Sequence, residues 1–498
     1  MVDRVFTNCE VRPLSGNDPA SAVAVTDGTV TAVGDPDELL TAGAETVNCQ
    51  GGVLLPGFVD AHTHLDIVGR RAVEADLAGV DGPDDCIDRL LAADDGEGWV
   101  LGFGYDESDW DGELLQAATL DRVSTDRPVA AAREDIHTVS VNHAALDTLD
   151  LPDDGVRTED GAPTGVLVEE AAEAVFDAIA PNYTQTREYL LAAQEVALSK
   201  GITAIHDMVR QSHAPRVYRE LDNEDTLSLR VRLNYWVDHL DAIRELGLVT
   251  NHGSDRVRTG AIKAYIDGSL GAGTARLRTP YADSDSAGEW RTDPDALRDL
   301  VSAVDDAGLQ FAAHAIGDAA IDALLSAVDS VDAAGERHRV EHAEVLTGDL
   351  VERLVASPLV VSAQPNFHRW AAPGDLYDER LGERRGLTNR FRDLVDAGAQ
   401  LAFGSDCMPL SPLYGVQQAV TALEPCQRLT VDEALQAYTS GAASAGFDED
   451  RMGAVTPGSV ADFAVLSASP WEVPNGEISD IAVTMTVSAG DIVFDSGD

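Results

Sequence analysis

Val53-Leu54-Leu55-Pro56-Gly57-Phe58-Val59-Asp60-Ala61-His62-Thr63-His64 is an apolar run of strand character that ends in two histidines. Side chains alternate along a strand, so residues two apart share a face and His62 and His64 point the same way. Seven more runs of similar texture follow, at residues 203–207, 231–236, 261–267, 309–314, 339–342, 359–362 and 400–403, separated by helical stretches. Strands alternating with helices predict a parallel α/β fold, and eight of them predict a (β/α)8 TIM barrel. In such a barrel the C-terminal ends of the strands converge on one mouth, where chemistry is done.

Polar residues of a few kinds stand at those ends. His314 closes the fifth run and His342 the sixth, and Asp406 follows the eighth in Gly404-Ser405-Asp406. Lys263 lies inside the fourth, Ala261-Ile262-Lys263-Ala264-Tyr265-Ile266, and is one of only two lysines in 498 residues. The other, Lys200, precedes Gly201 at the end of a helical stretch, where a cation complements the helix dipole. An ammonium on an apolar strand must be paired, neutralised or chemically altered. Two readings of Lys263 therefore stand: an inward lysine salt-bridged to a carboxylate such as Asp267, or a lysine that takes part in chemistry. Four imidazoles, a carboxylate and a lysine at one mouth form a natural metal site, since imidazole and carboxylate are ordinary ligands of Zn²⁺.

The ends of the chain read differently. Asp27-Gly28 joins two short apolar runs in a hairpin, and the tail holds further strand-like segments. Residues 1–52 and 449–498 are expected to form one small β-sandwich domain completed from both termini, with the barrel over 53–448. The long stretch after the first strand is too long for a loop. Residues 66–190 are read as an insertion over the barrel mouth, with its own strands and a helix.

Lys plus Arg total 35 and Asp plus Glu 87, a formal charge of −52. The acid is spread along the whole chain, which describes a surface and not a tail. Such a composition suits a cytoplasm of molar salt, where screening lengths fall to roughly 3 Å. It argues against nucleic acid as a partner, because no basic patch offsets the repulsion. Five cysteines without metal or disulfide spacing suggest a reducing interior, and neither a signal peptide nor a membrane span is read. A cytoplasmic enzyme with a small-molecule substrate, without membrane partners and with a homodimer as its expected assembly, is the reading.

Pro56-Gly57-Phe58-Val59-Asp60-Ala61-His62-Thr63-His64-Leu65 resembles the first-strand signature of the amidohydrolase superfamily. Lys263-Ala264-Tyr265-Ile266-Asp267-Gly268-Ser269-Leu270-Gly271 is similar to the branch called amidohydrolase family three, which includes N-substituted formamide deformylase. His314-Ala315-Ile316-Gly317-Asp318, Val340-Glu341-His342-Ala343, Gly404-Ser405-Asp406 and the segment from His137 through Asn142 to Ala145-Leu146 agree with that branch. Gly273 departs from it, since the branch usually has Arg there.

The resemblance implies two divalent metal ions, zinc foremost. His62 and His64 would bind one and His314 and His342 the other, with Asp406 on the first. Lys263, carboxylated by CO₂ to a carbamate, would bridge them. A metal-bridging hydroxide would attack a small amide, formamide or cyclic amide while Asp406 moves the proton. His137 is the candidate to stabilise the oxyanion, and Tyr281 and Trp290 are candidate pocket aromatics. Two rivals remain: a mononuclear deaminase-like enzyme of the same superfamily, and a non-catalytic regulatory or binding protein on this scaffold.

The charge generates its own test. Self-repulsion of −52 formal charges should unfold or inactivate the protein at low ionic strength. Full stability after dialysis into dilute buffer would rule out the salt-adapted reading.

Overall fold

The computed structural model describes residues 2–107, 110, 112–134, 138–152, 154–210, 212–331 and 335–497. Its contacts divide the chain into two compact units. The first holds residues 1–64, 194–211 and 218–498, and the second residues 65–193 and 212–217.

The first unit is built on eight parallel strands in sequential order: β1 (Phe58–Thr63), β2 (Ile202–Val209), β3 (Arg230–Trp236), β4 (Val257–Tyr265), β5 (Gln310–Ala315), β6 (Arg339–His342), β7 (Val360–Ala363) and β8 (Leu401–Phe403). All eight expected strands are present, and the fold is the TIM barrel. Nearly every barrel-strand residue is buried, as a parallel sheet covered by helices requires.

The seam between β1 and β8 is closed by other means than a regular ladder. The buried Asp60 carboxylate accepts from the backbone N–H of Ser405 at 3.0 Å and of His62 at 3.1 Å. The N–H of Asp406 in turn donates to the His62 carbonyl at 2.7 Å. Gly404 makes this approach possible: a Cβ there would lie 2.4 Å from the His62 nitrogen. Two metal-ligand candidates, His62 and Asp406, are thereby locked to one another through the backbone.

The opening run is not one strand. Val53–Pro56 pairs with Glu10–Val11 and Phe463–Leu466 in a five-stranded sheet, while Phe58–Thr63 enters the barrel. The break falls at Gly57, whose N–H is held by the Asp462 carbonyl and where a Cβ would collide with the Thr203 side chain. An apolar run serves both sheets equally well, so hydrophobicity alone does not reveal the change of partner.

The five-stranded sheet continues with Val483–Ser488 and Asp491–Asp495 and faces a four-stranded sheet of Arg4–Thr7, Ala22–Thr26, Thr29–Gly34 and Glu45–Asn48. Phe6, Val23, Val25, Leu54, Phe463 and Val487 fill the space between them, with the Phe6 and Phe463 rings edge-on at 5.4 Å. Asp27 and Gly28 both have positive φ, at 48° and 71°, as the tight hairpin between two of these strands demands.

The second unit has its own six-stranded sheet, which includes Val100–Tyr105, Val129–Arg133 and Ala162–Val168. Alternate residues serve two separate cores, with a register shift between Phe103 and Tyr105 that moves Tyr105 to the face of Val100. Val100, Tyr105, Val129 and Ala131 face one, and Leu101, Phe103, Ala130 and Ala132 the other. Among the described residues no helix is long and apolar enough to cross a membrane.

Gly404→Ala should destabilise the fold by about 1–3 kcal/mol, because the methyl group meets backbone and not a mobile side chain. Gly348→Ala, at an open site on the first turn of a helix, should be neutral or slightly stabilising. Thermal unfolding of both variants measures the difference.

Candidate metal centre

The histidines at the strand ends meet. The His62 ring centroid lies 5.9 Å from that of His64 and 4.9 Å from that of His342, and His342 lies 4.5 Å from His314. Asp406 Oδ1 is 3.4 Å from His64 Nε2 and 3.6 Å from His62 Nε2. His62, His64 and Asp406 each offer a ligand atom within 4.8 Å of the others, a group able to hold a metal ion.

Backbone geometry brings two of these residues in. Glu341 and His342 are consecutive, so a continued pleat would send them to opposite faces. His342 instead has φ +71°, which ends the pleat and lets its ring reach His62 and His314 while Glu341 also reaches His62. Asp406, at φ +51°, stands in the same uncommon region. Strained conformations of this kind persist where surrounding contacts over-determine them.

Electrostatics prepares the imidazoles as ligands. Burial holds His62 and His342 well below the ordinary histidine range, and the nearby Lys263 ammonium and neighbouring imidazoles push further that way. Neutral imidazole is the form that binds metal. His62 Nδ1 sits 2.6 Å from Glu341 Oε2, which is ionised, so Nδ1 carries the proton and Nε2 is left with its lone pair on the Asp406 side.

Glu341 was not singled out by the sequence motifs, although it stands inside one. Its other partner is Arg339, with Nε 2.7 Å from Oε1, both side chains buried. Arg339 also donates to the Ala61 carbonyl at 2.6 Å and to Ser362 Oγ at 3.0 Å, and touches His206 Nδ1 at 2.8 Å. The signal available in sequence was the Arg-x-Glu spacing in β6, two opposite charges on one face of a buried strand.

Lys263 Nζ is buried and has no hydrogen-bond partner among the described residues. Burial pulls its ammonium down to about 8 against the opposing pull of Glu341 and Asp406. Asp267 is not its partner. Its carboxylate accepts from the backbone N–H groups of Arg276, Ile316 and Gly317 at 2.8, 3.0 and 2.8 Å, and so organises the loops after β4 and β5. The salt-bridge reading with Asp267 is therefore set aside by geometry.

His137 lies outside the described residues. Asn142, in the same segment, caps a short helix and accepts from Val129 and Ala145. The Tyr281 hydroxyl donates to the Ala275 carbonyl within an apolar cluster, and Trp290 lies against Arg276. Gly273 has φ +70°, so a backbone requirement accounts for glycine there. Among the described residues no disulfide is formed.

The match to the amidohydrolase family model runs over residues 45–494, and the chain belongs to that family. It is a metal-dependent hydrolase acting on non-peptide carbon–nitrogen bonds. Protein LONG AFTER FAR-RED 3 of Arabidopsis thaliana is 31% identical, over 96% of this chain and 89% of its own. N-substituted formamide deformylase of Arthrobacter pascens is 26% identical over 98% of each chain. An uncharacterized metal-dependent hydrolase of Pyrococcus horikoshii superposes with TM-score 0.81 at 28% identity, over 95% of this chain and 99% of that one.

Glu341→Gln tests the support beneath the ligands. The amide keeps the shape but leaves the Arg339 guanidinium uncompensated, at a cost of about 3–5 kcal/mol. Loss of the carboxylate from His62 should weaken metal binding by roughly 10–100-fold. Thermal unfolding and metal titration of the same variant read the two effects separately.

Proposed function

We propose that the protein is a binuclear metal hydrolase that cleaves a carbon–nitrogen bond in a small amide, formamide or cyclic amide. The observation that carries this reading is a buried Lys263 amine, without a hydrogen-bond partner among the described residues, whose charge acts on both His62 and His342. His62, His64 and Asp406 would hold one divalent ion, and His314 and His342 a second, with zinc favoured by the nitrogen and oxygen donors. Lys263 would serve both ions as a carbamate, an anion with two oxygens. An amine brought down to about 8 is neutral often enough near pH 7 to capture CO₂, which a fully protonated lysine cannot do.

Divalent ions at this site would supply Lewis acidity and hydroxide near neutral pH. Asp406 takes the proton from the water that adds to the substrate carbonyl and delivers it to the departing nitrogen as the carbon–nitrogen bond breaks. Glu341 keeps His62 in one tautomer throughout. The mononuclear alternative draws on the tight His62, His64 and Asp406 group, which suffices by itself for one ion. The lack of disulfides among the described residues and the acidic composition support a reducing, salt-rich cytoplasm as the setting.

Metal analysis of protein purified without chelator should return about two equivalents of divalent metal, more ligands being present than one tetrahedral ion uses. Lys263→Ala should lose at least one equivalent and essentially all hydrolysis, with partial rescue by formate or acetate. Lys263→Arg should not be rescued, since guanidinium stays cationic. A stoichiometry of one that survives reloading would select the mononuclear reading.

Asp406→Asn should retain most of the metal yet lower kcat by roughly 10²–10⁴-fold, because an amide ligates but carries no proton. Wild-type kcat in that variant would remove Asp406 from proton transfer.

A further inference from the structure

Gln364 directly follows β7 and is 1% exposed, yet neither its amide nitrogen nor its amide oxygen has a hydrogen-bond partner among the described residues. A buried polar group left unpaired is costly, so one this deep calls for a partner. Two residues just beyond it in sequence are held in place. Asn366 Nδ2 donates to the Pro409 carbonyl at 2.9 Å, in the segment that follows Asp406, and Phe367 stacks on the His342 ring at 6.2 Å with planes 9° apart. The Gln364 backbone is extended, at φ −118° and ψ 93°, so it continues the pleat of β7. Ser362, two residues earlier, accepts from Arg339 inside the barrel. Gln364 therefore shares the inner face, one pleat nearer the mouth where His62, His342 and Asp406 meet.

We propose that Gln364 orients the substrate by pairing its carboxamide with an N–H and a C=O that lie on one edge of that molecule. A carboxamide offers a donor and an acceptor side by side and carries no charge. Its complement is another neutral amide edge with N–H and C=O on the same side, as in lactams, ureides and cis-amides. Carboxylate substrates would need a cation at this position, and fully N-alkylated amides cannot supply the donor. This deepens the reading of the site as a carbon–nitrogen hydrolase, on which it rests for the bond that is broken.

The test measures binding as well as turnover. Hydantoin, a cyclic ureide, and 1,3-dimethylhydantoin, which lacks both N–H groups, are titrated into the metal-loaded enzyme by ligand-observed NMR. Wild type should prefer hydantoin by about tenfold or more, since a site built to pair an N–H rejects the analogue without one. Gln364→Leu should erase the preference, and Gln364→Glu, nearly isosteric but without the donor, should reduce it. Metal content and unfolding temperature checked in both variants separate this from misfolding, and the Glu variant carries the test should the Leu variant fail to fold. Equal binding of the two probes by wild type, or an unchanged preference in a folded Gln364 variant, overturns the proposal. Preference without hydrolysis of any carbon–nitrogen bond removes the hydrolase reading and leaves the role of Gln364. Hydrolysis with kinetics indifferent to Gln364→Glu does the opposite.

Discussion

The buried pair of Arg339 and Glu341 is the contact on which the site depends. Two opposite charges on one face of β6 are taken out of water, a state that survives only when geometry and further hydrogen bonds compensate. Here the compensation is also the architecture. Arg339 reaches the carbonyl of Ala61 in β1 and the hydroxyl of Ser362 in β7, while Glu341 fixes the ring of His62. A single ion pair thus sets the tautomer of one ligand candidate and ties three strands together beneath the mouth.

Above that layer, carboxylates organise backbone. Asp60 gathers the N–H groups of His62 and Ser405, and Asp267 those of Arg276, Ile316 and Gly317. Both are fully buried, and burial raises Asp60 to about 6 and Asp267 to about 7 against the downward pull of those donors. Each therefore favours the ionised form, and its grip on the loops, only as pH rises through that range. The loops after β4, β5 and β8 are held in this way, and His314 and Asp406 stand within or beside them.

The barrel was legible because eight apolar runs alternate with helical ones, and burial on both faces of a parallel sheet enforces that pattern. The ligand candidates were legible because few buried strands end in histidine. Three things were not. Val53–Pro56 and Phe58–Thr63 read as one strand, since an apolar segment does not say which sheet it joins. Glu341 was overlooked because its importance lies in contacts with His62 and Arg339, the first 279 residues away in sequence. The inward turn of His342 likewise depends on a positive φ that no side-chain pattern announces.

The choice of cation follows the same physics. Where a buried positive charge must persist, this chain uses arginine. Arg339 faces Glu341, Arg230 faces Asp462 at 2.8 Å and Arg232 faces Asp448 at 2.6 Å. Guanidinium keeps its proton under all physiological conditions and presents a rigid fork to each carboxylate. Lys263 is the exception: its amine is buried without a hydrogen-bond partner among the described residues, and burial has already brought it down to about 8. Among the described residues an ammonium is needed there for no ion pair. An amine able to shed its proton is a different resource, because only the neutral form can make a new bond. A chain that has all but abandoned lysine retains one inside a barrel strand, and the carbamate proposed for Lys263 draws on that loss of charge.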